Sequence, residues 1–268
     1  MPNEEKKLPQ KAQKGEEEMK KNGLLKMVGV VEVCVMAAQL SMGAETGSTA
    51  ENNKGEQWTF TPDPKLPNVL ILGDSISIGY TLEVRNLMAG KANVYRPLSE
   101  DGKGAMNCSG TTEGVKKIDG WLGDTKWAVI HFNWGLHDLK HVTKTKDGKP
   151  SDEASGPVQA TVDQYSKNLE EIVKKLKATG AKLIFATTTP VVPGTKSPLR
   201  EPEAPGKYNE AAVSIMTANG IKVNDLYGVV MPQLEKLQYP KNVHFNPKGS
   251  KALAGQVAKV IEAELIGK

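Results

Sequence analysis

The chain of 268 residues is 38% hydrophobic and 25% charged, enough for one full-sized domain with a substantial core and some additional chain. Its formal net charge of +4 comes from interspersed acidic and basic residues. No run of like charge lies beside aromatic residues, so no nucleic-acid partner is expected. Two cysteines, Cys34 and Cys108, exclude a disulfide framework and have no metal-ligand spacing.

In chain order, residues 1–23 are rich in Lys and Glu without an apolar period, the composition of a disordered leader. Lys20, Lys21 and Lys26 then flank an apolar stretch over residues 24–42, closed by Gly43-Ala44. A basic flank, a short apolar run and small residues at its end are the parts of a secretory signal peptide. Residues 1–44 are therefore read as leader and signal peptide, with a secreted or periplasmic location expected. A buried helix or an uncleaved anchor is the competing reading. The run is short for a span and carries Glu32, which is costly in lipid, so no stable membrane span is expected in the mature chain. Cleavage after Ala44 removes Cys34 and leaves Cys108 without a partner. Residues 45–65 begin small and polar and are read as a tether ahead of a single domain over residues 66–268.

Within that domain, residues 68–73 (NVLILG) are continuously apolar and end in Gly, the pattern of a strand buried on both faces. Residues 127–133 (WAVIHFN) and 182–187 (KLIFAT) repeat it, and residues 92–95 and 221–223 are shorter candidates. A helix is predicted over residues 158–179. Val158, Val162, Tyr165, Leu169, Ile172, Val173 and Leu176 share one face, and Gly180 stops it. A last helix over residues 247–266 begins with Pro247 and turns Leu253, Val257, Val260 and Ile261 inward. Strand and helix in alternation imply a parallel sheet covered on both faces, a three-layer α/β/α sandwich. Sites in such folds gather at the carboxyl ends of the strands.

Two segments bear chemistry. Gly73-Asp74-Ser75 lies directly between the first strand and a helix, so the Ser75 hydroxyl is presented at the sheet edge and its amide at a helix N-terminus. A helix-capping role is the common alternative for such a serine. At the other end, His244 stands in a loop just before the last helix, with the access a general base needs.

The pair gains weight from a resemblance to the SGNH (GDSL) hydrolases, which runs from about Leu66 to the C-terminus as ordered blocks. Gly73-Asp74-Ser75 resembles the nucleophile block, and Asn107-Cys108-Ser109-Gly110-Thr111-Thr112 the block whose glycine amide binds the oxyanion. Gly135-Leu136-His137-Asp138 stands where the family has Gly-x-Asn-Asp. Thr187-Thr188-Thr189-Pro190-Val191 resembles the segment after the fourth strand, and His244-Phe245-Asn246-Pro247-Lys248-Gly249 the block of the base. The resemblance implies the three-layer sandwich on a parallel, flavodoxin-like sheet. It also implies serine esterase chemistry without a metal or other cofactor, acting on small-molecule or polysaccharide esters. Ser75 and His244 would be catalytic, with Ser75, Gly110 and His137 forming the oxyanion hole. With an exported chain, short-chain (acetyl) esters on carbohydrates are the expected substrates. Acyl transfer through the same serine, or a weakened member that binds glycans, are the alternatives.

Two positions depart from the family. His137 replaces the oxyanion-binding Asn; an imidazole still has an N–H to donate. The other reading, a metal held with His141, lacks a third ligand. Lys241 stands where the family has the Asp that orients the histidine, with Asn242 beside it. A backbone carbonyl is expected to hold the ring instead; a displaced carboxylate such as Asp225 or Glu235, or a weakened enzyme, are the alternatives. Trp121, Trp127 and Trp134 are read as core or rim packing, and Cys108 as a small buried residue. The polar segments 140–156 and 190–205 are read either as pocket borders or as surface connections.

Overall fold

The computed structural model describes residues 56–267; the expected leader, signal peptide and first part of the tether lie outside the described residues. Five strands form one parallel sheet in the order β2-β1-β3-β4-β5. They are β1 (Asn68–Leu72), β2 (Asn93–Tyr95), β3 (Val129–Phe132), β4 (Lys182–Ala186) and β5 (Lys222–Asn224). This is the flavodoxin-like order, in which the chain winds outward both ways from β1 and the crevice opens between β1 and β3. The central strands are buried on both faces, which is why their sequences are apolar without alternation.

The helices are α1 (Ser75–Leu87), α2 (Thr111–Leu122), α3 (Val162–Ala178), α4 (Ala204–Ala218), α5 (Leu226–Val230), α6 (Leu234–Leu237) and α7 (Pro247–Ile266). One layer packs α1 and α5 against α7; the other packs α2 against α3 and α3 against α4. In α3 the residues turned inward are Tyr165, Leu169, Ile172, Val173 and Leu176, as their period requires. That helix starts at Val162, four residues later than the periodicity implies. Thr161 caps it by accepting from the Gln164 amide, and Val158 is drawn into an antiparallel bridge with His141.

Buried inside the sheet, His131 is held neutral, its pKa pushed down to about 3 by burial, and its Nε2 meets Asn224 at 3.1 Å. The last residues of the expected tether are part of the folded body. Phe60 packs on Tyr95 (4.9 Å between ring centroids) beneath the Arg85 guanidinium, and Asp63 pairs with Asn93 through its backbone N–H and C=O. Reading residues 56–65 as tether overlooked that one aromatic and one amide partner suffice to dock a short segment. Among the described residues no helix is long and apolar enough to cross a membrane.

Candidate active site

The turn after β1 is built by backbone chemistry. Asp74 caps α1, its carboxylate accepting from the Ile76 amide (2.9 Å), and this makes Ser75 the first residue of the helix. Behind the turn lies Arg96, which follows β2 and is buried. Its guanidinium donates to the carbonyls of Gly73, Asp74 and Met106 and to Ser77 Oγ. In a trans peptide the C=O and the next N–H point opposite ways. Because Asp74 C=O faces Arg96, the Ser75 N–H faces away from it, and no acceptor meets that amide among the described residues. The sequence reading passed over Arg96; an arginine directly behind a strand that packs under the nucleophile turn was its only signal.

Ser75 and His244 come together across 169 positions of sequence, with Ser75 Oγ 2.8 Å from His244 Nε2. On the other side of the ring, His244 Nδ1 lies 2.7 Å from Asn242 Oδ1. The same oxygen accepts the His244 backbone N–H at 2.9 Å. A backbone N–H can only donate, so the amide group of Asn242 presents oxygen to the ring and Nδ1 must carry the proton. Nε2 is then free to accept from the Ser75 hydroxyl. This corrects the expectation of a backbone carbonyl: the orienting carbonyl belongs to a side chain two residues upstream, closing a local turn of the kind Asn favours. Neither proposed carboxylate is there. Asp225 caps α5 and accepts from Thr187 Oγ1, and Glu235 is exposed on α6. Lys241 adopts φ 53°, and its stem lies by Gly194.

The remaining groups come from the ends of β2 and β3. His137 is largely enclosed, and burial, assisted by Lys140 and Arg200, pushes its pKa down to about 4 against the pull of Asp74. Lys140 Nζ stands 3.4 Å from its Nδ1. An ammonium can only donate, so Nδ1 is the acceptor and Nε2 carries the N–H. Gly110 is buried at the N-cap of α2. A Cβ there would come within 2.6 Å of Gln159 Nε2 and 3.1 Å of Asp138 Oδ1, so a larger residue would push the Gln159 side-chain end aside and crowd Asp138. Its amide meets no acceptor among the described residues. Asp138 accepts from the amide and hydroxyl of Thr111, which fixes the Gly110 turn to the end of β3. Burial raises the Asp138 pKa to about 6, with the Thr111 bonds opposing.

These residues surround a cavity of about 430 Å³ lined by Ser75, Asn107, His137, Asn242 and His244, with residues 195–198 and Arg200 as its far wall. Gly110 is not among the residues that line it. The segment 140–156 does not line it; this segment props up the wall, with Asp152 accepting from Ser197 and Ser151 C=O from the Leu199 amide. His141 points away, its Nδ1 at 3.0 Å from Gly156 C=O, and no cluster of three potential metal ligands occurs among the described residues. Trp134 is fully buried and donates to Cys108 C=O, which makes it core and not cleft. Cys108 is buried beside it.

A sequence model of the GDSL-like lipase/acylhydrolase family matches residues 71–252. No curated protein matches the chain by sequence. Among solved structures, the lipase/acylhydrolase from Enterococcus faecalis is similar at 20% identity and TM-score 0.58, covering 74% of this chain and 96% of that one. An acylhydrolase described as putative, from Bacteroides fragilis, is similar at 16% identity and TM-score 0.57, covering 81% and 97%. The acetyl xylan esterase AlAXEase is similar at 13% identity and TM-score 0.56, covering 72% and 99%. These likenesses establish the fold. With the family match over most of the chain, they identify this protein as a member of the GDSL-like lipase/acylhydrolase family and a carboxylic ester hydrolase.

Proposed function

We propose that Ser75 and His244 hydrolyse short-chain acyl esters, acetyl esters of carbohydrates above all, through an acyl-enzyme. The observation that carries this reading is the chain of contacts from Asn242 Oδ1 through the His244 ring to Ser75 Oγ, at 2.7 and 2.8 Å. His244 Nε2 takes the hydroxyl proton as Ser75 Oγ attacks the ester carbonyl. The developing oxyanion is met by the Ser75 and Gly110 amides, neither spent on another group, and by the Nε2–H of His137. His244 then returns the proton to the departing alkoxide. In the second half it deprotonates water, which attacks the acyl-enzyme and releases the acid. None of these steps calls on a metal.

The acyl preference rests on the modest volume of the cavity, about 430 Å³. The carbohydrate preference rests on the similar fold of a protein named as an acetyl xylan esterase, and on the export proposed from residues 20–44. Turnover of 4-nitrophenyl acetate against the decanoate, with acetylated xylan as a polymeric substrate, tests both. Wild type should prefer the acetyl ester and Ser75→Ala should lose turnover while melting at the same temperature. A folded Ser75→Ala variant that keeps most of its turnover refutes the nucleophile.

A further inference from the structure

The far wall of the cavity carries charge that hydrolysis of a neutral ester does not use. Arg200 is 8% exposed yet lines the cavity. Two of its nitrogens are spent: Nε donates to Leu136 C=O at 2.7 Å and Nη1 to Pro198 C=O at 3.2 Å. Nη2 meets no acceptor, and no carboxylate forms an ion pair with this guanidinium among the described residues. Lys196, exposed on the same wall and also without an ion-pair partner, adds a second cation. Among the described residues the one acid lining the cavity is Asp74; its Oδ1 caps α1, and its charge attracts Arg200 without the two groups forming an ion pair. Arg96, by contrast, has all three nitrogens engaged, by the Gly73, Asp74 and Met106 carbonyls and the Ser77 hydroxyl, and belongs to the framework.

Taking a guanidinium out of water with no carboxylate in contact is costly, and a guanidinium with a free nitrogen is suited to bind a planar anion. The two carbonyl bonds fix the orientation of Arg200 in advance, so little entropy is lost when an anion meets Nη2.

We propose that Arg200, assisted by Lys196, recognises an anionic group on the ester substrate, a carboxylate or phosphate held close to the scissile bond. The proposal rests on the catalytic reading of Ser75 and His244 and narrows its substrate class to acidic esters, such as acetylated uronic acids rather than neutral sugars.

Matched ester pairs that differ only in charge provide the test, run at low salt. 4-Nitrophenyl hydrogen succinate against 4-nitrophenyl methyl succinate places the charge on the acyl side; 3-acetoxybenzoate against its methyl ester places it on the leaving side. For at least one pair wild type should favour the anion by about tenfold or more in kcat/KM, chiefly through KM, as expected for a charge-assisted hydrogen bond. In Arg200→Gln that ratio should fall to near one. Arg200→Lys should keep part of it, and Lys196→Ser, at an exposed position where folding is not at risk, should lower it a few-fold. If Arg200 merely holds the Leu136 and Pro198 carbonyls, both members of a pair fall together and the ratio survives, which overturns the proposal. So does a wild-type ratio near one in both pairs. Calorimetric binding of the same esters to Ser75→Ala separates this from the hydrolase reading. Hydrolysis of neutral esters without tighter binding of the anion refutes the charge proposal alone. Tighter anion binding, lost in Arg200→Gln, by a wild type that turns over no ester would refute the hydrolase reading alone.

Discussion

Replacing Asn242 by Ala removes the only acceptor among the described residues that meets His244 Nδ1, and the acceptor of the His244 backbone amide. A hydrogen bond between neutral groups contributes roughly 1 kcal/mol, and one to a charged group about 1.5–3 kcal/mol. The Nδ1–H bond passes from the first kind to the second as Nε2 takes the serine proton, so its differential strength is about 0.5–2 kcal/mol, or about 2- to 30-fold in rate. Loss of the enforced tautomer adds to that; amidating the acid of a serine-protease triad costs about 10⁴ because it holds the wrong tautomer. Here the ring becomes unrestrained rather than wrongly restrained, and its exposed position lets water stand in. The expected loss in kcat/KM is therefore about 10- to 100-fold, well short of His244→Ala. The assay is short-chain nitrophenyl ester hydrolysis at pH 8, with melting temperature as a control for folding. A well-folded Asn242→Ala within threefold of wild type would show that the ring needs no orienting side chain. Asn242→Asp tests the same geometry from the other side. A carboxylate facing Nδ1 stabilises the imidazolium that forms as Nε2 takes the serine proton, so turnover should rise by up to about fivefold, the range expected of an exposed charge pair. Turnover no higher than that of Asn242→Ala would mean that residue 242 does not face the ring in solution.

His137→Ala should lower kcat by about 10²–10³ with little change in KM, the usual cost of losing one oxyanion donor, while His137→Asn should recover much of it; equal losses in both would remove His137 from that role. Arg96→Met should destabilise the fold by about 1–3 kcal/mol in urea titration, since it leaves the Met106 carbonyl without a donor in a buried place, while Gly73 C=O keeps the Cys108 amide and Asp74 C=O the Ile78 amide and Ser77 hydroxyl. An unchanged unfolding midpoint would contradict its framework role. Asp225→Asn and Glu235→Gln should change turnover by less than about threefold, and neither should cost much stability, since Asn keeps an oxygen to accept from the Gly228 amide at the cap of α5. A drop approaching that of His244→Ala in either variant would show that a carboxylate completes the triad.

Much of the fold was legible in the sequence because it rests on local, short-range signals, and the pair proposed to react was suggested by ordered blocks that resemble a family. Strands buried on both faces must be apolar without interruption, as at residues 68–73. A helix of 17 residues must repeat its inward positions, as Tyr165 to Leu176 do. The serine at a strand-to-helix turn and the histidine ahead of the last helix are read from what precedes and follows them. What holds the histidine is a different kind of fact. The position expected to carry the acid holds Lys241, and the sequence favours a backbone carbonyl, with a displaced carboxylate or a weakened enzyme as the alternatives. Only the closing of the chain at residues 241–244, with Lys241 in a left-handed conformation, brings Asn242 under Nδ1. The same limit applies to Arg96 and Arg200. Each is an unremarked cation in the sequence, and each is defined by carbonyls from segments far away along the chain: Gly73 and Met106 for the first, Leu136 for the second. Composition and periodicity report what a residue does to its own segment. The partners of a buried charge, and whether one of its nitrogens is left facing a cavity, depend on loops meeting at the carboxyl ends of the strands, and only the tertiary structure decides that.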